Sequence, residues 1–260
     1  MYRYLLTSRD GAVERLTLNR PDVRNAFNDE VVAELRHWAD ALAHDAGVRV
    51  VVLAGAGKGF SAGADAAWMA RMAGASAAEN EQDALATTAM LRALNTLPVV
   101  VIGRIHGAAL GGGSGLAAVC DIVVAEDTAV FGFTETKLGI LPAMISPFVL
   151  PKIGVSAARE LFLTGARFDA AKARTIRLVH AVVAADALDA TVEAHVREAL
   201  SASPTAVAAA KALIPQVAGQ RPDDVAALTA RAIAAQRVSP EGQEGLHAFL
   251  ERRPPSWVAS

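Results

Sequence analysis

The chain has 260 residues, of which 53% are hydrophobic and 20% charged, with a formal net charge of −2. A chain of this length and composition can bury a large core, so an intrinsically disordered protein is excluded. Basic and acidic residues are nearly balanced, 25 against 27, with no long block of one sign. This balance disfavours nucleic acid as a partner.

No targeting or membrane segment is visible. The apolar start at residues 2–7 is too short for a secretory signal, because Arg9 and Asp10 follow it. The longest apolar stretch, 97–120, is interrupted by Arg104, His106 and several glycines, which is untypical of a membrane span. We therefore predict a cytoplasmic protein that does not bind a membrane.

Strands and helices are predicted to alternate along the first half. Residues 13–18 alternate as a half-exposed strand does, and 48–53 and 99–105 are β-branched runs typical of buried strands. Asn28 or the following aspartate can cap a helix between the first two strands, and residues 80–97 show a second helical pattern. This order predicts right-handed βαβ units.

Alanine-rich helical stretches dominate from residue 147 onward. We predict a core over residues 1–200 and a helical C-terminal region over residues 201–260. A helical tail with apolar faces must cover either its own core or a neighbouring subunit, so oligomerisation is expected. The single cysteine, Cys120, lies in an apolar stretch and is predicted to be a buried structural thiol.

Two glycine-rich loops carry the strongest signal for chemistry. Residues 55–65 (GAGKGFSAGAD) follow one apolar run, and residues 107–115 (GAALGGGSG) lead into an apolar helix. Glycines at the start of a helix let the backbone approach a ligand and expose N–H groups that can stabilise an oxyanion. Two such loops predict a pair of oxyanion donors, and the alternative is two structural turns.

Glu135 is the best candidate for general acid-base work. It stands in the string FGFTETKLGI, where aromatic and aliphatic neighbours would desolvate the carboxyl and raise its pKa. The alternative is a salt bridge between Glu135 and Lys137.

Taken together, these motifs resemble the crotonase (enoyl-CoA hydratase/isomerase) superfamily over nearly the whole chain. Besides the two loops, the resemblance is carried by LNRP at 18–21, NAF at 25–27, CDI at 120–122, and FLERR at 249–253 with Trp257. It implies an α/β fold, a crotonase-like spiral of ββα and βαβ units with a helical C-terminal region. It also implies an acyl-CoA substrate, no separate cofactor or metal, and a homotrimer or dimer of trimers.

The resemblance assigns roles to individual residues. Ala64 and Gly112 are expected to donate backbone N–H groups to the thioester oxygen, while Glu135 carries the proton. Contacts with the substrate or coenzyme A are expected at Arg24, Ala26, Ala62, Ala64, Asp65, Gly112, Gly115 and Arg252.

One position departs from the family pattern. Hydratases with two glutamates carry the second one where this chain has Gly115, so Glu135 must make both proton transfers or borrow another group. Glu81 and Asp83 could substitute, although solvated carboxylates at a helix start are the commoner explanation. A single carboxylate also suits a Δ3–Δ2-enoyl-CoA isomerase, and a non-catalytic CoA-thioester binder is a further alternative.

The predicted reaction is nevertheless reversible hydration of an enoyl-CoA. The strings at 61–69 and 135–148 resemble the bacterial methylglutaconyl-CoA and isohexenylglutaconyl-CoA hydratases. This resemblance implies a branched, carboxylated substrate such as 3-methylglutaconyl-CoA.

A serine hydrolase is a competing hypothesis. Residues 59–63 satisfy G-x-S-x-G, and Ser61 precedes Asp121 and His180 in the order of α/β-hydrolase triads. The nucleophile elbow requires a strand that ends almost at the serine, whereas a glycine-rich segment intervenes here. The six histidines are scattered, without the spacing of a metal site.

Overall fold

A computed structural model describes residues 2–258 of the chain. Within them, the strands are β1 (Leu5–Asp10), β2 (Val13–Leu18), β3 (Val50–Gly55), β4 (Val100–Ile105), β5 (Ala108–Leu110), β6 (Ile122–Glu126), β7 (Val130–Gly132), β8 (Arg167–Asp169) and β9 (Ala181–Val183).

The α-helices are α1 (Asp29–Leu42), α2 (Ala66–Ala73), α3 (Ala77–Asn95), α4 (Gly112–Val119), α5 (Ser146–Thr164), α6 (Ala170–Thr175), α7 (Leu188–Ser201), α8 (Pro204–Val217), α9 (Pro222–Val238) and α10 (Pro240–Glu251). Short 3₁₀ helices cover Pro21–Val23, Glu135–Leu138 and Ala185–Ala187. The two halves of α5 meet at Gly154, whose φ of 72° interrupts the helix.

The strands form two sheets. The larger sheet has the order β1-β2-β3-β4-β6-β9, in which β1 and β2 are antiparallel and the other neighbours are parallel. The smaller sheet has the order β5-β7-β8, with β5 and β7 parallel. Helices connect the parallel strands, as a βαβ arrangement requires.

Both faces of the larger sheet are covered, because alternate residues of a strand point to opposite sides. In β3, Val51 and Leu53 belong to the main core with residues of α1, α3 and α4. Val50 and Val52 belong to a second cluster on the other face, which is completed by α7 residues Leu188, Val192 and Val196. Burial on both faces explains the near-continuous β-branched run in this strand.

The predicted helix after the first strand pair is confirmed, since the side chain of Asn28 accepts a hydrogen bond from Val31 N at the start of α1. The predicted start of α3 at residue 80 is wrong. Ser76 and Glu79 form a capping box, in which each side chain bonds the backbone N–H of the other residue. These reciprocal bonds start the helix at Ala77, before the predicted first residue.

The last third is mainly helical, as predicted. It also contains the strands β8 and β9, which the sequence analysis missed because three residues are too few to show a period. Cys120 is buried, and desolvation raises the pKa of its thiol to about 12. Within residues 2–258, no helix has the length and apolar character needed to cross a bilayer.

Candidate active site

The two glycine-rich loops lie side by side. Phe60 N–H donates to His106 O at 2.9 Å, and Ser61 N–H donates to Ala108 O at 2.9 Å. Leu110 N–H returns a bond to Ser61 O at 3.0 Å, which makes a parallel bridge between Ser61 and Ala109. This short ladder brings the end of the first loop next to the start of α4.

Close backbone approach explains why glycines are needed here. Gly63 has a φ of +87°, and a Cβ at this position would lie 2.6 Å from Leu110 O. A Cβ on Gly112 would lie 2.6 Å from the Phe27 ring, and one on Gly113 would lie within 3.0 Å of Ser61 O. A larger residue at Gly63 or Gly113 would therefore push the two loops apart, and one at Gly112 would displace the Phe27 ring.

Two backbone amides at this junction remain free to donate. Phe27 N–H bonds Gly63 O and Asp65 N–H bonds Phe27 O, which turns the Ala64 N–H between them away from Phe27. Neither Ala64 N–H nor Gly112 N–H has an acceptor within the described part of the chain. Gly112 is also the first residue of α4, where the helix dipole favours negative charge. Both amides suit an oxyanion.

Glu135 follows β7 and opens a 3₁₀ helix. Its Oε1 would lie 3.3 Å from a Cβ on Gly111, so the carboxyl is adjacent to the second glycine loop. Burial raises the pKa of the Glu135 carboxyl above its ordinary value. Its Oε2 is buried without a hydrogen-bond partner, and no ion pair with Lys137 is found among residues 2–258.

Ala64, Gly112 and Glu135 line one cavity of about 130 Å³. One wall comes from α2 and α3, and another from the segment at 134–145. Glu135 is the one titratable side chain among the lining residues that the structure describes. They are Phe27, Ala62, Ala64, Trp68, Met69, Thr87, Leu91, Gly111, Gly112, Thr134, Glu135, Leu138, Ile140, Leu141, Pro142, Ala143, Met144 and Ile145.

Gly115 does not line this cavity. It is buried in α4, and a Cβ built on it would lie within 3.0 Å of Ile145 Cγ2. Ile145 itself is 3% exposed and lines the cavity. The isoleucine fills the space beside Gly115, and the substrate contact expected there stays a prediction.

The other predicted contacts lie around the first loop, with one exception. Ala62 lines the cavity, and its N–H bonds the carbonyl of exposed Arg24 at 2.9 Å. Ala26 is buried beside them. Arg252 ends α10 with a φ of 57° and is not part of the cavity lining.

Asp65 has a structural role in the free protein. Its carboxylate caps α2 by accepting from Ala67 N–H at 2.8 Å, and it pairs with Arg20 at 2.9 Å. These bonds, together with its occupied N–H, leave no donor on Asp65 for coenzyme A.

The two possible substitutes for the second glutamate stay outside the cavity. Glu81 is exposed on α3. Asp83 accepts a hydrogen bond from Trp68 Nε1 at 3.1 Å and does not line the cavity. Glu135 therefore has no carboxyl partner among the residues that line the site.

A serine-hydrolase triad is not assembled. Ser61 is fully buried and donates its hydroxyl to Asn25 O at 2.8 Å. His180 Nδ1 accepts from Val123 N–H at 2.9 Å, and Asp121 pairs with Lys211 at 2.6 Å. The three side chains thus have other partners. Residues 2–258 contain no group of three potential metal ligands.

Sequence reasoning missed how the first loop is held. Asn25 is 2% exposed, and its side-chain amide donates to Ala56 O at 2.8 Å and to Gly59 O at 2.9 Å. Its Oδ1 accepts from Arg20 N–H at 2.9 Å. The signal that could have indicated this buried side chain is a polar residue directly before an apolar pair, as in NAF.

Comparisons with known proteins agree on the family. The family model described as enoyl-CoA hydratase/isomerase matches residues 8–260. The mouse mitochondrial enoyl-CoA hydratase domain-containing protein 2 is 33% identical, over 97% of this chain and 86% of its own length.

Solved structures agree as well. An enoyl-CoA hydratase from Shewanella pealeana has a TM-score of 0.95 at 36% identity, covering 99% of this chain and 97% of its own. AtuE from Pseudomonas aeruginosa has a TM-score of 0.95 at 40% identity, covering 99% of this chain and all of its own. The predicted fold class is thereby confirmed, and the chain belongs to the enoyl-CoA hydratase/isomerase family with its crotonase fold.

Proposed function

We propose that this protein converts an enoyl-CoA thioester through an enolate. The amides of Ala64 and Gly112 hold the thioester oxygen, and Glu135 moves the proton. The observation that carries this proposal is one cavity lined by two residues with unpaired amides and by one half-buried carboxyl. Fixed donors in a dry site stabilise developing negative charge, each contributing about 3–4 kcal/mol at best.

Among the family's reactions, the geometry favours a double-bond shift from the 3,4 to the 2,3 position. Carboxylate Glu135 takes a proton from C2, and the electron pair moves onto the thioester oxygen between the two amides. The same carboxyl, now protonated, returns the proton to C4, which places the double bond next to the carbonyl. One acid-base group completes this cycle, and Glu135 is the one titratable group of the lining within residues 2–258.

Hydration, the reaction expected from the sequence, is the second candidate. Its support is the unpartnered Oε2 of Glu135, which could hold a water, and the hydratase names of the relatives. A hydratase with this site would use Glu135 both to activate the water and to protonate C2.

The lining favours a neutral acyl group. Among the described residues of the cavity there is no lysine, arginine or histidine. A second carboxylate on the acyl chain would be desolvated near Glu135 without a counter-charge. The site thus gives the carboxylated, branched substrate expected from the sequence less support than an uncharged one.

We further propose that coenzyme A binds along the first loop, without a separate cofactor. The carbonyls of Ala62 and Ala64 accept no hydrogen bond from residues 2–258, so they are available to it. Arg24 is exposed beside this loop and suits a phosphate. The predicted contact at Arg252, which lies outside the cavity lining, remains part of this proposal.

A homotrimer or dimer of trimers is the proposed assembly. Its support is large apolar side chains left open, including Leu163 at 69%, Phe249 at 80% and Leu250 at 75% exposed. Apolar surface of this kind is typical of a subunit interface. Light scattering on the purified protein would measure the molar mass, and a monomer would contradict this assembly.

The function is tested with three thioesters. Crotonyl-CoA, 3-methylglutaconyl-CoA and a 3-enoyl-CoA are each incubated with the protein while the conjugated-thioester absorbance is followed. We expect the absorbance to rise with the 3-enoyl-CoA and to fall more slowly, or not at all, with the other two. A fall with either conjugated substrate but no rise with the 3-enoyl-CoA would establish hydration, and no change with any would refute enzymatic function.

A further inference from the structure

Thr87 is a second buried polar group at the cavity, and the proposed proton transfer does not use it. It lies on α3, is 4% exposed and lines the cavity. Its Oγ1 is buried with no hydrogen-bond partner among the residues that the structure describes. An unsatisfied buried hydroxyl destabilises the folded state and calls for an explanation.

Burial without a partner distinguishes Thr87 from the other helical threonines of the described chain. Half-buried Thr88 also makes no bond to the preceding turn, but it is partly open to solvent. Five others, in or at the end of a helix, donate Oγ1 to the carbonyl one turn earlier, at 2.7–3.1 Å; they are Thr96, Thr164, Thr175, Thr191 and Thr229. Thr87 makes no such bond to the carbonyl of Asp83. Its hydroxyl is therefore uncommitted, although a local acceptor is the common solution.

The protein groups around Thr87 do not supply the partner. Leu91, one turn further along α3, is 1% exposed and apolar. Trp68, on α2, has its only polar atom bonded to Asp83 at 3.1 Å. No cation lines the cavity within the described residues. A ligand oxygen can satisfy the hydroxyl, and a neutral oxygen fits best because an anionic one would be desolvated without a counter-charge.

We propose that Thr87 is a specificity-determining residue, which forms a hydrogen bond with a hydroxyl or keto oxygen on the acyl chain of the bound thioester. The inference rests on the proposed function, because it requires an acyl-CoA in this cavity. A threonine hydroxyl can donate to a ketone or accept from an alcohol, so both groups fit. The wall of α2 and α3 thus selects an oxygenated, uncharged acyl chain.

Binding calorimetry tests this selection without turnover. The ligands are hexanoyl-CoA and its derivatives with a hydroxyl or keto group on carbons beyond the third, which the enzyme cannot dehydrate. We expect the wild type to bind one of these derivatives about three- to tenfold more tightly than hexanoyl-CoA. Thr87→Val should lose this preference but keep the affinity for hexanoyl-CoA. Thr87→Ser, which keeps a hydroxyl, should retain the preference.

Thermal unfolding gives an independent readout. Because valine removes an unsatisfied hydroxyl, Thr87→Val should raise the melting temperature by about 2–4 °C. The matched control Thr191→Val removes a hydroxyl that bonds Ala187 O at 2.9 Å, so it should lower the melting temperature and leave ligand preference unchanged.

Each contrary outcome is distinct. If the wild type shows no preference for any oxygenated ligand, or Thr87→Val keeps it, the specificity role is overturned while the proposed function stands. A lower melting temperature for Thr87→Val would show that the hydroxyl has a partner inside the protein. If the wild type binds none of the thioesters, the proposed function itself is refuted.

Discussion

Replacing Glu135 by glutamine tests the proposed chemistry most directly. Glu135→Gln keeps the size and shape of the side chain but removes the carboxyl that we propose accepts and returns the proton. Since the carboxyl makes no ion pair within residues 2–258 and its Oε2 is unbonded, the change breaks no contact that holds the fold. A loss of turnover can therefore be assigned to chemistry.

The expected magnitude follows from what stays in the cavity. General acid-base catalysis contributes about 10²–10⁴-fold, and the upper part of this range applies because Glu135 has no titratable neighbour in the described lining. We expect kcat to fall by about 10³–10⁴, or about 4–5.5 kcal/mol in activation free energy. The amides of Ala64 and Gly112 are unchanged, so affinity for a saturated acyl-CoA should stay within about threefold.

The assay measures kcat with the preferred thioester and Kd with a saturated acyl-CoA, for the wild type, Glu135→Gln and a control variant. Glu81→Gln is the matched control, because it neutralises an exposed carboxylate on α3 outside the cavity. Its kcat and Kd should equal those of the wild type. Retention of more than about a tenth of wild-type kcat by Glu135→Gln would refute the assignment of Glu135 as the proton carrier.

The same variant has a predicted pH signature. Because burial raises the pKa of Glu135 in the folded protein, ionisation of this group opposes folding. The stabilisation from the protonated Glu135 carboxyl is complete below the ordinary pKa of 4.5. It is lost as the pH rises through the higher pKa of the folded state. Urea unfolding should show Glu135→Gln gaining stability over the wild type toward neutral pH, with the difference shrinking below pH 4.5. The opposite trend would contradict the burial argument.

Further predictions concern packing and the alternative triad. Gly115→Ala should destabilise the fold by about 1–3 kcal/mol through the clash with Ile145 Cγ2. A double variant with Ile145→Ala should lose less unfolding free energy than the sum of the two single variants, and additive losses in urea unfolding would contradict this packing. Lys211→Met removes the partner of Asp121 and should lower the unfolding free energy by about 1–3 kcal/mol, with kcat unchanged. An unchanged unfolding midpoint would show that this contact does not stabilise the packing of α8 on the core. A fluorophosphonate probe should leave the wild type unlabelled because Ser61 is buried, and labelling that Ser61→Ala abolishes would revive the hydrolase hypothesis.

The sequence by itself determined the elements with a local signal. Continuous β-branched runs marked β3 and β4, because strands buried on both faces need apolar residues throughout. The two glycine loops marked the place of the two unpaired amides, since backbone that approaches backbone so closely excludes a Cβ. Glu135 stood out as a lone carboxyl among aromatic and aliphatic neighbours.

Only the tertiary structure decided which distant groups share the cavity. Ile145 lies thirty positions beyond Gly115 in the chain, and no local period connects their side chains. In the fold they pack together, which leaves Glu135 without a second carboxyl at this place. Thr87 reads in the sequence as an ordinary helical residue, and its unsatisfied hydroxyl becomes visible only when α2, α3 and the segment after β7 enclose one space. Periodicity reports which face of an element is buried, whereas long-range packing decides what that face meets.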